Sequence, residues 1–280
     1  MIIGLSGYSG SGKDTVGAII QYLNCSSVGE TTLEDILKDH KWHQWWLEDQ
    51  STWEIKKWAG KLKTIASLLT GIEQEKFEDQ EFKKTYLGPE CNYWTISIIS
   101  NGNLMFQKGR FTTKQEADDY VPHLVDIYGQ FHMEYVVGMQ QMTVRQFLQE
   151  LGTDGLRNGL HPNTWVNALM SEYKPGPFYP EVPVEDHAKL PNWIITDTRF
   201  PNEAQAIKDA GGIIIRIDRP GVKPVNPHPS ETSLDDWNFD YKIMNGSDLV
   251  SLVFTVFNIL KKERLLNHYI NKLYENTSHQ

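Results

Sequence analysis

The chain has 280 residues, 40% of them apolar, and a formal net charge of −9. It can therefore bury a substantial core, as one large or two small domains. The acidic balance argues against a nucleic-acid binder that works through a broad basic surface, whereas small anionic substrates need only local positive charge. Two cysteines, Cys25 and Cys91, make no metal-ligand pattern and read as reduced intracellular thiols. The amino terminus has no basic region followed by a long apolar run, and the apolar stretch 249–260 is broken by Ser251, Thr255 and Asn258. Neither a signal peptide nor a membrane span is expected, and the expected location is the cytoplasm.

The first fifteen residues carry the most information. Ile2 to Leu5 is a short buried-strand run, Gly7-Tyr8-Ser9-Gly10-Ser11-Gly12-Lys13 is a GxxxxGK pattern, and Val16, Ile19, Ile20 and Leu23 recur at helical spacing. This predicts strand, loop and helix in that order, with the helix over 13–23. Gly7 and Gly12 let the backbone wrap an anion without a Cβ in the way, and successive N–H groups of the loop point at phosphate oxygens. Lys13 adds a mobile positive charge, and the helix aims the positive end of its dipole at the same point. The alternative, an ordinary glycine-rich turn of an α/β protein, leaves Lys13 unexplained. The position after the lysine, usually Ser or Thr, holds Asp14, and Thr15 follows. A carboxylate there is a candidate ligand for Mg²⁺, or else a first-turn acid that favours the helix dipole.

Residues 24–50 are polar and irregular and include Trp42, Trp45 and Trp46. A strand is predicted around 53–58 and a helix over 60–69. Tyr93 to Ile99, the Asn101-Gly102 pair and Leu104 to Phe106 form a hairpin signal. With a helix over 113–120, this suggests an insertion from about 90 to 140, a lid or an oligomer contact, on a single domain spanning 1–280. Helices are predicted over 144–157 and 163–173, a central strand from Trp193 to Asp197, a helix over 204–210, strands over 212–217 and 241–244, and a long carboxy-terminal helix. This alternation defines an α/β fold with a central parallel sheet flanked by helices.

Asp197 ends an apolar run, and the carboxyl end of a parallel strand faces the crevice where ligands bind. It is a candidate for holding Mg²⁺, and Arg199 is placed to reach a transferring phosphoryl group. The alternative is an Asp–Arg pair that braces a loop. Lys63, Arg145 and Arg157 are further candidates for an acceptor phosphate, although each alone also reads as a solvated helix face. Trp42, Trp45, Trp46, Trp53 and Trp58 invite comparison with base-stacking single-strand binders. Asp39, Glu48, Asp49 and Glu54 interleave with them and deny a positive track, so core packing or a subunit interface is favoured.

Taken in order, the Gly-Lys-Asp-Thr at 12–15, Ala59 to Lys63, Arg145 to Asp154, Trp165-Val166, Asp197-Thr198-Arg199 and His228 to Glu231 resemble the bacteriophage deoxynucleoside monophosphate kinases. The resemblance covers about two-thirds of the chain, leaving 25–52 and 90–140 unmatched. It implies a P-loop kinase that uses ATP and Mg²⁺ to convert a deoxynucleoside monophosphate to its diphosphate, commonly as a homodimer; from the charge and the lack of an apolar span, no nucleic-acid or membrane partner is expected. It further implies that Gly7, Ser9, Gly10, Ser11, Gly12, Lys13, Asp14 and Thr15 cradle the ATP phosphates and that Asp14 sits where the family itself has Asp. Asp197 and Arg199 would line the reacting centre, Arg145 and Gln149 would face the acceptor, and His228 to Glu231 would lie near the donor. A similar Asp-Thr-Arg element occurs in phosphomevalonate kinases. Kinases for another small acceptor, such as phosphomevalonate or dephospho-coenzyme A, and a non-catalytic nucleotide-gated assembly protein are therefore the alternatives.

Overall fold

Apolar runs of three to five residues, too short for a helix and too continuous for a half-exposed strand, place three central strands of this molecule. A computed structural model describes residues 1–25, 33–38, 46–130, 132–175, 189–223 and 229–267. Trp42, Trp45 and His228 lie outside the described residues. The strands are β1 (Ile2–Ser6), β2 (Trp53–Lys56), β3 (Tyr93–Ser100), β4 (Asn103–Phe111), β5 (Met133–Gln140), β6 (Asn192–Ile195), β7 (Ile213–Asp218) and β8 (Tyr241–Met244). The chain divides into two units, Met1–Lys61 together with His161–Gln280, and Leu62–Leu160.

The first unit is built on a five-stranded sheet in the order β2-β6-β1-β7-β8, with every neighbouring pair parallel. β1 is at its centre, and Ile3 pairs with Ile194 on one side and Ile213 on the other. All five residues of β1 are buried. The helix Lys13–Tyr22 contributes Val16, Ile19 and Ile20 to the core, and the helix Leu249–Lys262 contributes Leu252, Val256, Phe257 and Leu260. The latter helix starts at Asp248, whose carboxylate accepts from the Ser251 N–H at 2.8 Å and satisfies an otherwise orphaned donor. Helix Pro201–Asp209 packs so closely on β1 that a Cβ on Gly4 would come within 2.5 Å of Ile207 Cδ1. Trp53, Trp58 and Trp193 are each about 2–3% exposed. They are core residues and offer no open stacking platform. No helix among the described residues is long and apolar enough to cross a membrane.

The second unit has its own antiparallel sheet, ordered β4-β3-β5. Asn101 and Gly102 adopt φ values of 50° and 76°, both left-handed, as a two-residue hairpin turn with the right-handed twist of its strands requires. Thus the expected hairpin is present, but it pairs with β5 and forms no part of the parallel sheet. Ile96, Ile98, Ala117 and Leu124 form the buried centre between this sheet and the helix Lys114–Tyr128. A capping box starts that helix: the Thr113 hydroxyl accepts from the Glu116 N–H, and the Glu116 carboxylate accepts from the Thr113 N–H. A second cluster joins Ala66, Phe77, Val144 and Leu148. The helix predicted over 144–157 is α-helical only over Val144–Gln149. It continues as a π-helix over Glu150–Asn158, a wider winding that sequence periodicity does not distinguish.

Candidate active site

Parallel strands deliver their carboxyl ends to one edge, so the segments that follow β1, β6, β7 and β8 meet there. The segment after β1 is the glycine loop. Gly7, Gly10 and Gly12 have φ values of 145°, 81° and 100°, which side-chain-bearing residues rarely adopt. A Cβ on Gly7 would lie 2.3 Å from the Ile217 carbonyl oxygen, and one on Gly12 would lie 2.4 Å from Asn245 Nδ2. The loop thus needs glycine for close approach as well as for conformation. Asn245, directly after β8, donates to the Ser11 carbonyl at 2.9 Å, and its own N–H bonds the Asp218 carbonyl at 2.7 Å. The loop is held from beneath by two neighbouring strand ends.

Lys13 opens the helix and folds back over this loop, donating to the carbonyls of Gly7 at 2.7 Å and Tyr8 at 2.8 Å. Burial pushes its pKa down to about 8, and the nearby Arg199 cation acts in the same direction. Asp14, Glu231 and Asp197 pull the other way. The ammonium is therefore a desolvated charge with Arg199 beside it and three carboxylates nearby, and desolvation is the condition under which an added anion gains most. The Asp14 side chain is 74% exposed and sits 3.8 Å from Lys57 Nζ, while Thr15 is half-buried in the first turn.

β6 ends at Ile195, two residues before Asp197. The Asp197 carboxylate accepts from the N–H groups of Trp58 at 2.8 Å and Ala59 at 3.0 Å, just ahead of the helix Gly60–Thr70. Each oxygen takes one bond and keeps a further lone pair. Thr198 bonds the Leu5 carbonyl through its N–H at 3.2 Å, and its hydroxyl accepts from Trp58 Nε1 at 3.3 Å. The Arg199 N–H donates to Glu203 at 2.8 Å, and the Arg199 guanidinium donates to Glu231 at 3.1 Å. The loop residues 7–15 and the Asp197-Thr198-Arg199 element are thus gathered at one edge of the first unit.

The remaining predicted residues belong to the second unit. Lys63 is paired with Glu78. Arg145 donates to Gln80 Oε1 at 2.9 Å. Gln149, half-buried, ends the α-helical segment, and Arg157 is buried within the π-helix. Among the described residues, no group of three or more His, Cys, Asp or Glu side chains could hold a metal ion.

One part of the site escaped the sequence reading. Tyr8, inside the loop, donates its hydroxyl to Asp235 at 2.9 Å, and its ring lies 4.6 Å from the Arg216 guanidinium carbon. Arg216 in turn donates to Asp218 at 2.9 Å and Asp235 at 3.2 Å. A lone arginine within the apolar run 213–217 was the available signal, because a charge is placed inside a central strand only with partners waiting.

A left-handed glycine loop between a central parallel strand and a helix, with a lysine lying over it and an arginine beside it, defines an α/β protein with the P-loop kinase architecture. A model of the deoxynucleotide monophosphate kinase family matches residues 1–256, and the chain belongs to that family. It is 31% identical over 134 residues to a protein of Acanthamoeba polyphaga mimivirus described as a putative deoxynucleotide monophosphate kinase, covering 45% of this chain and 65% of that one. It is 29% identical over 121 residues to the deoxynucleotide monophosphate kinase of Enterobacteria phage T4, covering 43% and 46% respectively. The chain therefore spans about half to two-thirds of the length of these curated relatives.

Proposed function

We propose that this chain transfers the γ-phosphate of ATP to a deoxynucleoside monophosphate, giving the diphosphate and ADP. The observation that carries this reading is the desolvated Lys13 ammonium lying across a glycine loop, with Arg199 close enough to depress its pKa. Phosphoryl transfer asks a protein mainly to bring two anions together and to neutralise the charge that develops. The acceptor phosphate is itself an ionised nucleophile at neutral pH, so a general base is not required. On this reading Lys13 and Arg199 supply the positive charge, and the loop from Gly7 to Thr15, with Ser9, Gly10, Ser11 and Gly12 among its residues, cradles the donor phosphates. Arg145, Gln149 and Lys63 would hold the acceptor.

Both predicted carboxylates suit Mg²⁺, a hard ion that takes one or two carboxylates and completes its shell with phosphate and water oxygens. Asp14 is exposed at the helix start, and Asp197 keeps a lone pair on each oxygen beyond its backbone bonds. When bound, the ion would neutralise donor phosphate charge. Asp197 has a second task, that of fixing the start of the helix Gly60–Thr70. The segment 90–140 is proposed as an insertion in one kinase domain, serving as a lid or a contact in a homodimer, and the enzyme is proposed to act in the cytoplasm.

The test is ADP release from ATP and Mg²⁺ with each deoxy- and ribonucleoside monophosphate in turn, using Lys13→Ala as the blank. Turnover with a subset of the deoxynucleotides supports the reading and names the base. Turnover only with phosphomevalonate or dephospho-coenzyme A would replace the acceptor, and ATP binding without any turnover would indicate a nucleotide-gated protein.

A further inference from the structure

The short helix Pro229–Thr232 brings one carboxylate into the phosphate-binding edge. Glu231 accepts from the Arg199 guanidinium through Oε1 at 3.1 Å and from the Ser9 N–H through Oε2 at 3.3 Å. Its side chain is 12% exposed, against 39% for Arg199. One turn later, Asp235 holds the Tyr8 hydroxyl and Arg216. The 231–235 segment thus fastens the glycine loop at two consecutive residues, and through Glu231 it fastens Arg199 to the same loop.

We infer that Glu231 is a positioning residue, which orients Arg199 toward the phosphates by tying its guanidinium to the glycine loop. The proposal rests on the nucleotide-binding reading above and deepens it. A guanidinium on a flexible side chain loses rotamer entropy when it engages an anion. Two carboxylate oxygens that grip the arginine and the loop together pay that cost before the nucleotide arrives. The carboxylate also offsets part of the cationic repulsion between Lys13 and Arg199: Arg199 lowers the Lys13 pKa and Glu231 raises it. A carboxylate acting only by its charge would repel phosphate, so the two modes predict opposite signs.

The experiment is a double-mutant cycle on ATP affinity, measured calorimetrically on the full chain for wild type, Glu231→Gln, Arg199→Gln and the double variant. Thermal melting of each protein serves as the folding control, and Glu231→Asp, which keeps the charge with a shorter reach, is a second probe. Glu231→Gln is expected to weaken ATP binding about fivefold, the scale of a partly exposed ion pair, and Glu231→Asp to fall between it and wild type. In the Arg199→Gln background the effect of Glu231→Gln should vanish. Additive losses, or ATP bound as tightly or more tightly by a folded Glu231→Gln, overturn the positioning role while leaving the nucleotide site intact. Absence of ATP binding by wild type overturns both.

Discussion

The Lys13 ammonium donates to the carbonyl of Gly7 at 2.7 Å, so the residue that follows the glycine loop closes back on the residue that begins it. Lys13 itself is largely desolvated, and on the proposed function this one side chain would govern the chemistry while contributing little to the fold. Lys13→Ala is expected to reduce turnover about a hundredfold or more, as removal of a transition-state cation does. Its melting temperature should stay within a few degrees of wild type, because a costly buried charge is removed along with its two hydrogen bonds. Full activity in that variant refutes the assignment.

The same residue sets a pH dependence. Its pKa is about 8 in the folded protein against 10.5 as the ordinary value. Below about 8 both folded and unfolded chains carry the proton. Between about 8 and 10.5 the unfolded chain binds more protons, so this site makes stability rise with pH across that window. An arriving polyphosphate favours the ammonium, so ATP affinity should fall as pH rises above about 8. Binding at pH 8.5 should take up protons, measurable by calorimetry in buffers of different ionisation enthalpy, and Lys13→Ala should remove that uptake.

Asp197→Asn is expected to cost about 2 kcal/mol of stability, because an amide cannot accept from both the Trp58 and Ala59 N–H groups through two oxygens. Chemical denaturation gives the loss. A Mg²⁺ titration of turnover should also shift to higher concentration. If it does not move, Asp197 acts on the helix start alone.

Two glycines of the loop should separate conformation from space. Gly10→Ala places a methyl in open surroundings at φ 81° and should cost about 1 kcal/mol, the penalty of the left-handed backbone. Gly7→Ala adds a collision with a strand carbonyl 2.3 Å away, which cannot yield as a side-chain tip can. It is expected to cost at least about 2 kcal/mol and to abolish ATP binding. Equal losses at both positions would mean that the loop, rather than the sheet, absorbs the strain.

Much of this was readable because glycine, aspartate and asparagine carry their backbone consequences locally. The loop at 7–13 and the turn at Asn101-Gly102 were visible for that reason. β5 was missed although Met133, Tyr135 and Val137 alternate with polar or less buried neighbours, because its partner β3 lies more than thirty residues earlier and pairing register is a long-range property. The partners of Asp197 were illegible for a similar reason: Trp58 and Ala59 precede it by 139 and 138 residues. The Tyr8–Asp235–Arg216 network joins three separate stretches of chain, and no motif spacing records it. The resemblance placed Arg145 and Gln149 with the acceptor, while Lys63, Arg145 and Arg157 were candidate cations from the residues alone, since spacing does not choose among helix-face cations.

β1 is hydrogen-bonded on both edges and buried on both faces. Its amide protons can exchange with deuterated solvent only when the whole sheet opens, so they should be among the slowest in the molecule. The glycine loop hangs from this slowest-exchanging strand, and its residues Ser9 and Gly10 are exposed, so their amides should exchange orders of magnitude sooner. The boundary between permanence and readiness therefore falls within a few residues, between Ser6 and Ser9.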